Sequence, residues 1–452
     1  MSSPTVVERT VVGSPGCRGQ PALNPGDVID GRYVLRERIG QGGMGGVFLA
    51  DQLALDRRVA IKLLQPELVG VPDLARRMHE EATLASHVRS PYCVEVFDCG
   101  VLPDGTPYIV MEYIPGRSLG RVIADEVMPL ERALDLFEQI LSALAATHRN
   151  GIVHGDVKSD NFLVERVNDT EHVTMIDFGL AQTTGACSDA DFAGELTISG
   201  TPEYMAPEVA AGDHPLPASD LYGAGVILYE LLTGTTPFRG GTAIEIMLRQ
   251  VREPVIPPSE CRPDRGIPPE IDRVVLEALD KRPDARFADA TAFASELRAA
   301  AGALCKSRRQ TSPDEEVLQP SRAEAGSAPR PRPQLARASD CTGAMRTDTE
   351  VFRHAIAGAL QRGDVTAIAD GYLALANALV ERRQVVRAMA ELQEGIDVLT
   401  AGGAPRANDT SRSTDRLVVA LAALYDEVGD PRHARRLAAS TDRRPTWTYT
   451  AG

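Results

Sequence analysis

The distribution of apolar and polar positions changes character several times along the chain. Residues 1–30 mix Ser, Thr, Pro and Gly, as in Ser14-Pro15-Gly16 and Asn24-Pro25-Gly26, with little periodicity, and predict a disordered leader. From residue 31 to about residue 300 the apolar density is continuous and predicts a folded block. Residues 301–350 are rich in Arg, Ser, Pro and Ala, include Pro329-Arg330-Pro331-Arg332-Pro333, and predict an extended linker. Over 351–440 apolar residues recur at helical spacing between Gly-Asp breaks, which predicts a second, all-helical module before a short tail, 441–452.

Inside the first block, Tyr33 to Ile39 and Val47 to Ala50 read as short strands around a glycine-rich turn, and Arg58 to Leu64 as a third strand. A helix is expected from about Asp73 to His87. Another places Leu130, Leu134, Phe137, Leu141, Leu144 and His148 on one face, between Pro129 as a start and Gly151 as a stop. A third runs from Asp220 to Leu232 and ends at Gly234. Strands first and helices afterwards define an α+β arrangement rather than repeated βαβ units.

The 452 residues, 43% hydrophobic, suffice for about two or three domains. A net charge of −15 argues against a broad nucleic-acid surface, because polyanion binding works by exchanging counterions for protein cations. The acidity is local: residues 1–300 hold 27 basic and 44 acidic side chains, whereas residues 346–452 hold 14 of each. Seven cysteines, an odd number without a C-x-x-C pair, read as reduced thiols. The N-terminus lacks a charged-then-apolar signal pattern and no run of about 18 apolar residues occurs, so a soluble, cytoplasmic protein without a membrane span is expected.

Candidate chemistry begins at Gly40-Gln41-Gly42-Gly43-Met44-Gly45-Gly46-Val47, which fits G-x-G-x-x-G-x-V. The residues that follow are strand-like rather than helical, so this is a hairpin tip, not a dinucleotide-binding turn; bare backbone N–H groups there can lie over phosphates. Val59-Ala60-Ile61-Lys62 then sets one lysine among apolar neighbours, where an ammonium needs anionic partners. Glu81 on the next helix is one candidate and nucleotide phosphates are the other. Further on come His154-Gly155-Asp156-Val157-Lys158-Ser159-Asp160-Asn161 and, 16 residues later, Asp177-Phe178-Gly179. Gly200-Thr201-Pro202-Glu203-Tyr204-Met205-Ala206-Pro207-Glu208, Ser219-Asp220-Leu221-Tyr222-Gly223 and Lys281-Arg282-Pro283-Asp284-Ala285-Arg286-Phe287 complete the series.

In that order these segments resemble a eukaryotic-type protein kinase of the bacterial Ser/Thr group, over about residues 31–300. The resemblance implies a bilobal fold with a small β-rich N-lobe and a helical C-lobe, and ATP and Mg²⁺ as cofactors. Lys62 would contact the α- and β-phosphates and pair with Glu81, Glu80 being the alternative. Asp156 would accept or orient the substrate hydroxyl, Lys158 would neutralise the transferring γ-phosphoryl group, and Thr201 would join them in the catalytic set. Asn161 and Asp177 would hold Mg²⁺. The ATP site would comprise Ile39, Gly40 to Gly46, Val47, Ala60, Lys62, Glu81, Met111 behind the adenine, and the hinge residues Glu112 and Ile114. Glu208 and Arg286 would form a supporting ion pair, and Asp220 would anchor the catalytic loop. Lys158 after Asp156, with Gly200-Thr201 ahead of Ala206-Pro207-Glu208, resembles Ser/Thr rather than Tyr kinases, so protein Ser/Thr hydroxyls are the expected acceptors.

Only four of the 48 basic residues are lysines, Lys62, Lys158, Lys281 and Lys306, and two of the four fall where the resemblance requires lysine. One position departs from the family. Where an arginine often precedes the catalytic Asp and receives a loop phosphate, this chain has Gly155, so phosphorylation of Thr197 or Ser199 is not expected to be the main switch. In the helical module, Leu375-Ala376-Asn377-Ala378-Leu379 through Ala388 and Leu421-Ala422-Ala423-Leu424-Tyr425 through Ala434 correspond at an offset of 46, with a polar loop expected over 401–415. They resemble tetratricopeptide (TPR) units, which implies a partner-binding groove. The competing overall reading is a pseudokinase scaffold that acts by protein binding alone.

Overall fold

In a computed structural model the residues described are 24–41, 45–64, 72–178, 182–183, 201–310, 347–382, 384–401, 408–428 and 430–439. The chain divides into two compact units, Met1–Ala301 and Gly302–Gly452.

The first unit opens with strands β1 (Val28–Ile29), β2 (Tyr33–Gln41), β3 (Gly45–Gln52) and β4 (Arg57–Leu64), then helix α1 (Pro72–His87), then β5 (Val96–Val101) and β6 (Pro107–Glu112). The strands form one antiparallel sheet in the order β1-β2-β3-β4-β6-β5. The two-residue period of β4 decides what each face does. Val59, Ile61 and Leu63 pack with Ile29, Tyr33, Leu35 and Tyr108, while Ala60 and Leu64 pack with Met78 and Ala82 of α1, and with Met111. Lys62 shares the parity of Ala60 and Leu64 and so faces the α1 side. The leader expected over 1–30 is corrected at its end, because Ile29 is buried in the sheet core and Gly26 donates to the Leu35 carbonyl at 2.8 Å.

Beyond the sheet, β7 (Arg117–Ser118) and α2 (Leu119–Asp125) lead to α3 (Leu130–Arg149). That helix buries Leu134, Phe137, Ile140, Leu141 and Leu144 along one stripe, and Gly151 turns out of it at φ +70°. Strands β8 (Ile152–Val153), β9 (Phe162–Val167), β10 (Thr170–Met175) and β11 (Gln182–Thr183) form small sheets in the orders β10-β9-β7 and β11-β8. Then come α4 (Pro207–Ala210), α5 (Pro217–Thr233), α6 (Ala243–Arg252), α7 (Pro258–Cys261), α8 (Pro269–Ala278) and α9 (Ala290–Gln310). Predominantly apolar, α5 is buried along nearly its whole length, which marks it as the pillar of the helical half; Gly234, at φ +81°, caps it. It starts at Pro217, three residues before the expected Asp220, because proline fits the first helical turn.

The second unit holds α10 (Thr347–Arg362), α11 (Val365–Glu381), α12 (Val385–Ala401), α13 (Asn408–Glu427) and α14 (Pro431–Ala438). Leu375, Ala376 and Ala388 are buried, as are their counterparts Leu421, Ala422 and Ala434. Helices cross closely here: a Cβ on Gly395 would meet the Tyr372 ring at 2.8 Å. The expected polar loop over 401–415 is shorter than its composition suggested. Residues 408–415 begin α13, where Ser413 is buried, and Arg416 pairs with Asp370 at 2.7 Å. The linker is shortened likewise, with α9 continuing to Gln310 and α10 beginning at Thr347. Among the described residues no helix is long and apolar enough to cross a membrane.

Candidate active site

Lys62 is the meeting point. Its Nζ lies 2.7 Å from Glu81 Oε1 and 2.9 Å from Asp177 Oδ1, with side-chain exposures of 19%, 12% and 37% in the order Lys62, Glu81, Asp177. Helix α1 turns Glu81 inward, while Glu80 pairs with Arg76 at 2.6 Å one turn away, so Glu81 is the partner. Burial works against the Lys62 charge, yet Asp177 and Glu81 outweigh it and hold the ammonium above the ordinary lysine value. The two carboxylates diverge. Burial, opposed by Lys62 and reinforced by Asp177, pushes Glu81 up to about 7; for Asp177 burial is overridden by Lys62, which holds it below the usual carboxylate range.

The sheet sets Val47, Ala60 and Met111, three of the other expected nucleotide-site residues, on the strand of Lys62 and its two neighbours. Val47 is the register partner of Lys62, and Ala60 that of Met111. Met111 and Ile114 are buried, Glu112 is exposed, and Ile39, Gly40 and Gln41 end the strand that leads into the glycine loop. Gly45 owes its identity to packing, since a Cβ there would meet the Leu63 carbonyl oxygen at 2.0 Å. Gly42, Gly43 and Met44 lie outside the described residues, as do Gly179, Thr197 and Ser199.

The second cluster is built on the turn after β8. Asp156 forms an ion pair with Lys158, and the Asn161 amide donates to the Asp156 carbonyl at 2.9 Å. Asn161 and Asp177 come together because Ile176 N donates to the Asn161 carbonyl at 3.0 Å. A carboxylate and an amide oxygen are the hard donors that Mg²⁺ takes, and the engaged Asn161 nitrogen leaves its oxygen for that role. Asp220, buried in α5, accepts from His154 N at 2.8 Å, Gly155 N at 2.9 Å and His148 Nε2 at 2.8 Å. Gly155 stands at φ +77°, the left-handed region that glycine enters cheaply. Thr201 lines one cavity with Gly155, Asp156, Tyr204 and Met205. Farther back, Arg286 makes a bidentate pair with Glu208 at 2.8 and 2.7 Å.

Several participants carry no assigned role in the sequence. His148 is there one residue of an apolar face, and Tyr204, whose hydroxyl joins Ser159 at 2.8 Å and Glu230 at 2.7 Å, is part of a signature. Gln250 did leave a trace, a polar residue in register with the buried Ile244 and Met247 of α6.

The fold and these clusters define a phosphotransferase-like kinase domain, and the comparisons agree. The family model described as protein kinase domain matches residues 33–297, and the chain belongs to that family. Its kinase domain is of the bacterial serine/threonine-protein kinase kind. It is 40% identical to serine/threonine-protein kinase pkn3 of Myxococcus xanthus over 281 residues, 61% of this chain and 51% of that protein. It is 36% identical to PknB of Mycobacterium leprae over 274 residues, 60% and 43%. With PrkC of Bacillus subtilis it shares 35% over 295 residues, 65% and 44%. The chain thus spans about half or less of the length of these relatives. The solved kinase domain of Mycobacterium tuberculosis PknI matches 62% of this chain and 100% of that one at 26% identity and a TM-score of 0.48.

Proposed function

We propose that this chain is an ATP-dependent protein kinase that transfers the γ-phosphoryl group of Mg-ATP to protein Ser/Thr hydroxyls in cytoplasmic signalling. The observation that carries the reading is the Lys62 ammonium held jointly by Glu81 and Asp177, with Asp177 tied through Ile176 to the turn that bears Asp156, Lys158 and Asn161. Phosphoryl transfer asks the protein for little covalent help, so positioning and clustered charge do most of the work. Lys62 binds the α- and β-phosphates, and Asn161 and Asp177 are the metal ligands. Mg²⁺, when bound, neutralises phosphate charge. Asp156 takes the hydroxyl proton as the acceptor oxygen bonds to the γ-phosphorus and the bond to the ADP oxygen breaks; Lys158 faces the charge on the moving phosphoryl group.

The test is transfer of label from γ-labelled ATP with Mg²⁺ to the chain itself or to myelin basic protein. Transfer by the wild type that is lost in Asp156→Asn supports the enzyme. No transfer by the wild type makes it a pseudokinase scaffold. For the helical unit the proposed role is a TPR-like groove that binds a protein partner, supported by the matched burial of Leu375 with Leu421 and Ala388 with Ala434. Affinity capture with the full chain, compared with a chain ending at residue 345, tests it: partners retained by the shortened chain exclude the groove.

A further inference from the structure

Gln250 stands out among the buried polar side chains. It has no exposed surface, sits in α6 where an apolar residue is expected, and uses its amide on three partners. Nε2 donates to the carbonyls of Glu203 at 2.7 Å and Pro202 at 3.2 Å, and Oε1 accepts from the Tyr222 hydroxyl. The Gln250 backbone carbonyl in turn accepts from Lys281 Nζ at 2.7 Å, an ammonium that lies 4.5 Å from the Phe238 ring centre. Tyr222 is itself fully buried on α5, beneath the Arg286 guanidinium at 4.8 Å. The last turn of α6 is therefore fixed to α5 and to the segment that follows α8, and it passes that position on to one short stretch of chain.

That stretch is Pro202–Tyr204, a single 3-10 turn whose first flanking residue is Thr201. On its other side the Tyr204 hydroxyl reaches Ser159 of the catalytic turn at 2.8 Å. Residues 201 and 204–206 line the cavity that also contains Asp156, so an acceptor segment bringing its hydroxyl to Asp156 passes along this turn. A primary amide suits the position chemically. Two carbonyl oxygens converge on one place, and only a nitrogen with two hydrogens satisfies both while its oxygen still serves a hydroxyl donor. A carboxylate there would face two carbonyl dipoles, and a methionine of similar volume would leave the Glu203 carbonyl and the Tyr222 hydroxyl unpaired and the Pro202 carbonyl with only the Met205 N–H at 3.3 Å.

We infer that Gln250 is a positioning residue for the acceptor side of the reaction: it clamps the Pro202–Glu203 carbonyls so that the Thr201–Ala206 segment holds the incoming protein substrate beside Asp156. The inference rests on the kinase reading and goes beyond it by separating acceptor binding from nucleotide binding. Nothing in the clamp touches Lys62, Glu81 or Asp177, so ATP handling should be indifferent to it.

The experiment compares wild type, Gln250→Met, Gln250→His and Tyr222→Phe in the full chain. With myelin basic protein as acceptor, Gln250→Met is expected to raise the acceptor KM by about tenfold, the scale of one or two lost hydrogen bonds, while the ATP KM stays unchanged. Gln250→His, which keeps one N–H donor, should recover part of that loss, and Tyr222→Phe, which spares both donors, should show a smaller one. Amide hydrogen exchange at Tyr204 and Met205 should quicken in Gln250→Met, a readout that needs no transfer at all. Wild type that transfers nothing refutes the kinase reading, and the exchange measurement then still judges the clamp. Exchange at Tyr204 and Met205 equal to wild type overturns the clamp; so does an unchanged acceptor KM in active Gln250→Met, even if its melting temperature has fallen, because that pattern belongs to a purely structural glutamine.

Discussion

The Glu208–Arg286 pair offers the sharpest test of how the helical half is held together. The two side chains are 8% and 0% exposed and meet through two parallel N–H···O bonds. Ser219 Oγ adds a bond to Glu208 Oε1 at 2.7 Å, and Arg286 also donates to the carbonyls of Asp280 at 2.8 Å and Ala218 at 2.9 Å. The pair thus ties α4, the start of α5 and the 281–287 segment into one network. Cutting Glu208 back to alanine leaves a buried guanidinium without its counter-charge. Breaking a buried pair from one side costs about 3–5 kcal/mol, whereas replacing both partners with apolar groups is often close to neutral. At roughly 2–4 °C per kcal/mol for a domain of this size, Glu208→Ala should lower the melting temperature by about 10 °C.

The matching double variant, Glu208→Leu with Arg286→Met, should be less destabilised than the sum of its parts, which is the signature of coupling in a double-mutant cycle. Far-UV circular dichroism is the suitable probe, because the only tryptophan, Trp447, lies in the tail rather than in the kinase block. Burial acts to raise the Glu208 carboxyl, but the hydrogen bonds and charge of Arg286 prevail and hold it below its ordinary value. A depressed folded value means that its stabilisation is present above about pH 4.5 and is lost as the pH falls through the lower folded value, so the Glu208→Ala penalty should be flat between about pH 5 and 8. A loss under about 1 kcal/mol, or an additive cycle, would refute the reasoning.

Other outcomes follow from the site. Lys62→Arg keeps the charge but replaces a compact ammonium with a planar fork that cannot occupy the point between Glu81 and Asp177, and transfer should drop on the order of a hundredfold; near-normal turnover in steady-state assays would contradict this. Glu81, pushed up to about 7, takes up a proton as the pH falls through that value and its pairing with Lys62 weakens, so kcat/KM for ATP should decline on the acid side of pH 7. The limb should vanish in Glu81→Gln, and a profile that is flat in the wild type removes the assignment. Because Gly155 offers no cation to a loop phosphate, alanine at both Thr197 and Ser199 should leave the transfer rate near that of the wild type, and a large fall would restore loop phosphorylation as the switch.

What the chain reveals in advance depends on the range of the interaction. Lys62 could be singled out because β4 has a period of two, and a charge of the same parity as Ala60 and Leu64 must face something anionic; the sequence could offer Glu81 or phosphate but could not see Asp177, which arrives from 115 residues away. Helix α3 was legible for the same local reason, its stripe of Leu134, Phe137, Leu141 and Leu144 bounded by Pro129 and Gly151. Composition misled where burial was decided elsewhere: Val28–Ile29 resembles a leader until Val34 and Tyr33 pair with it, and residues 408–415 resemble a loop until Ser413 finds a core to enter. His148, Tyr204 and Gln250 show the harder limit. Each carries out its role by reaching a backbone or side-chain atom dozens of residues distant, and a polar residue inside an apolar helical stripe is the one trace such contacts leave in the local pattern. That trace is left where the polar group is largely buried, because there the cost of leaving it unpaired forces the fold to supply a partner.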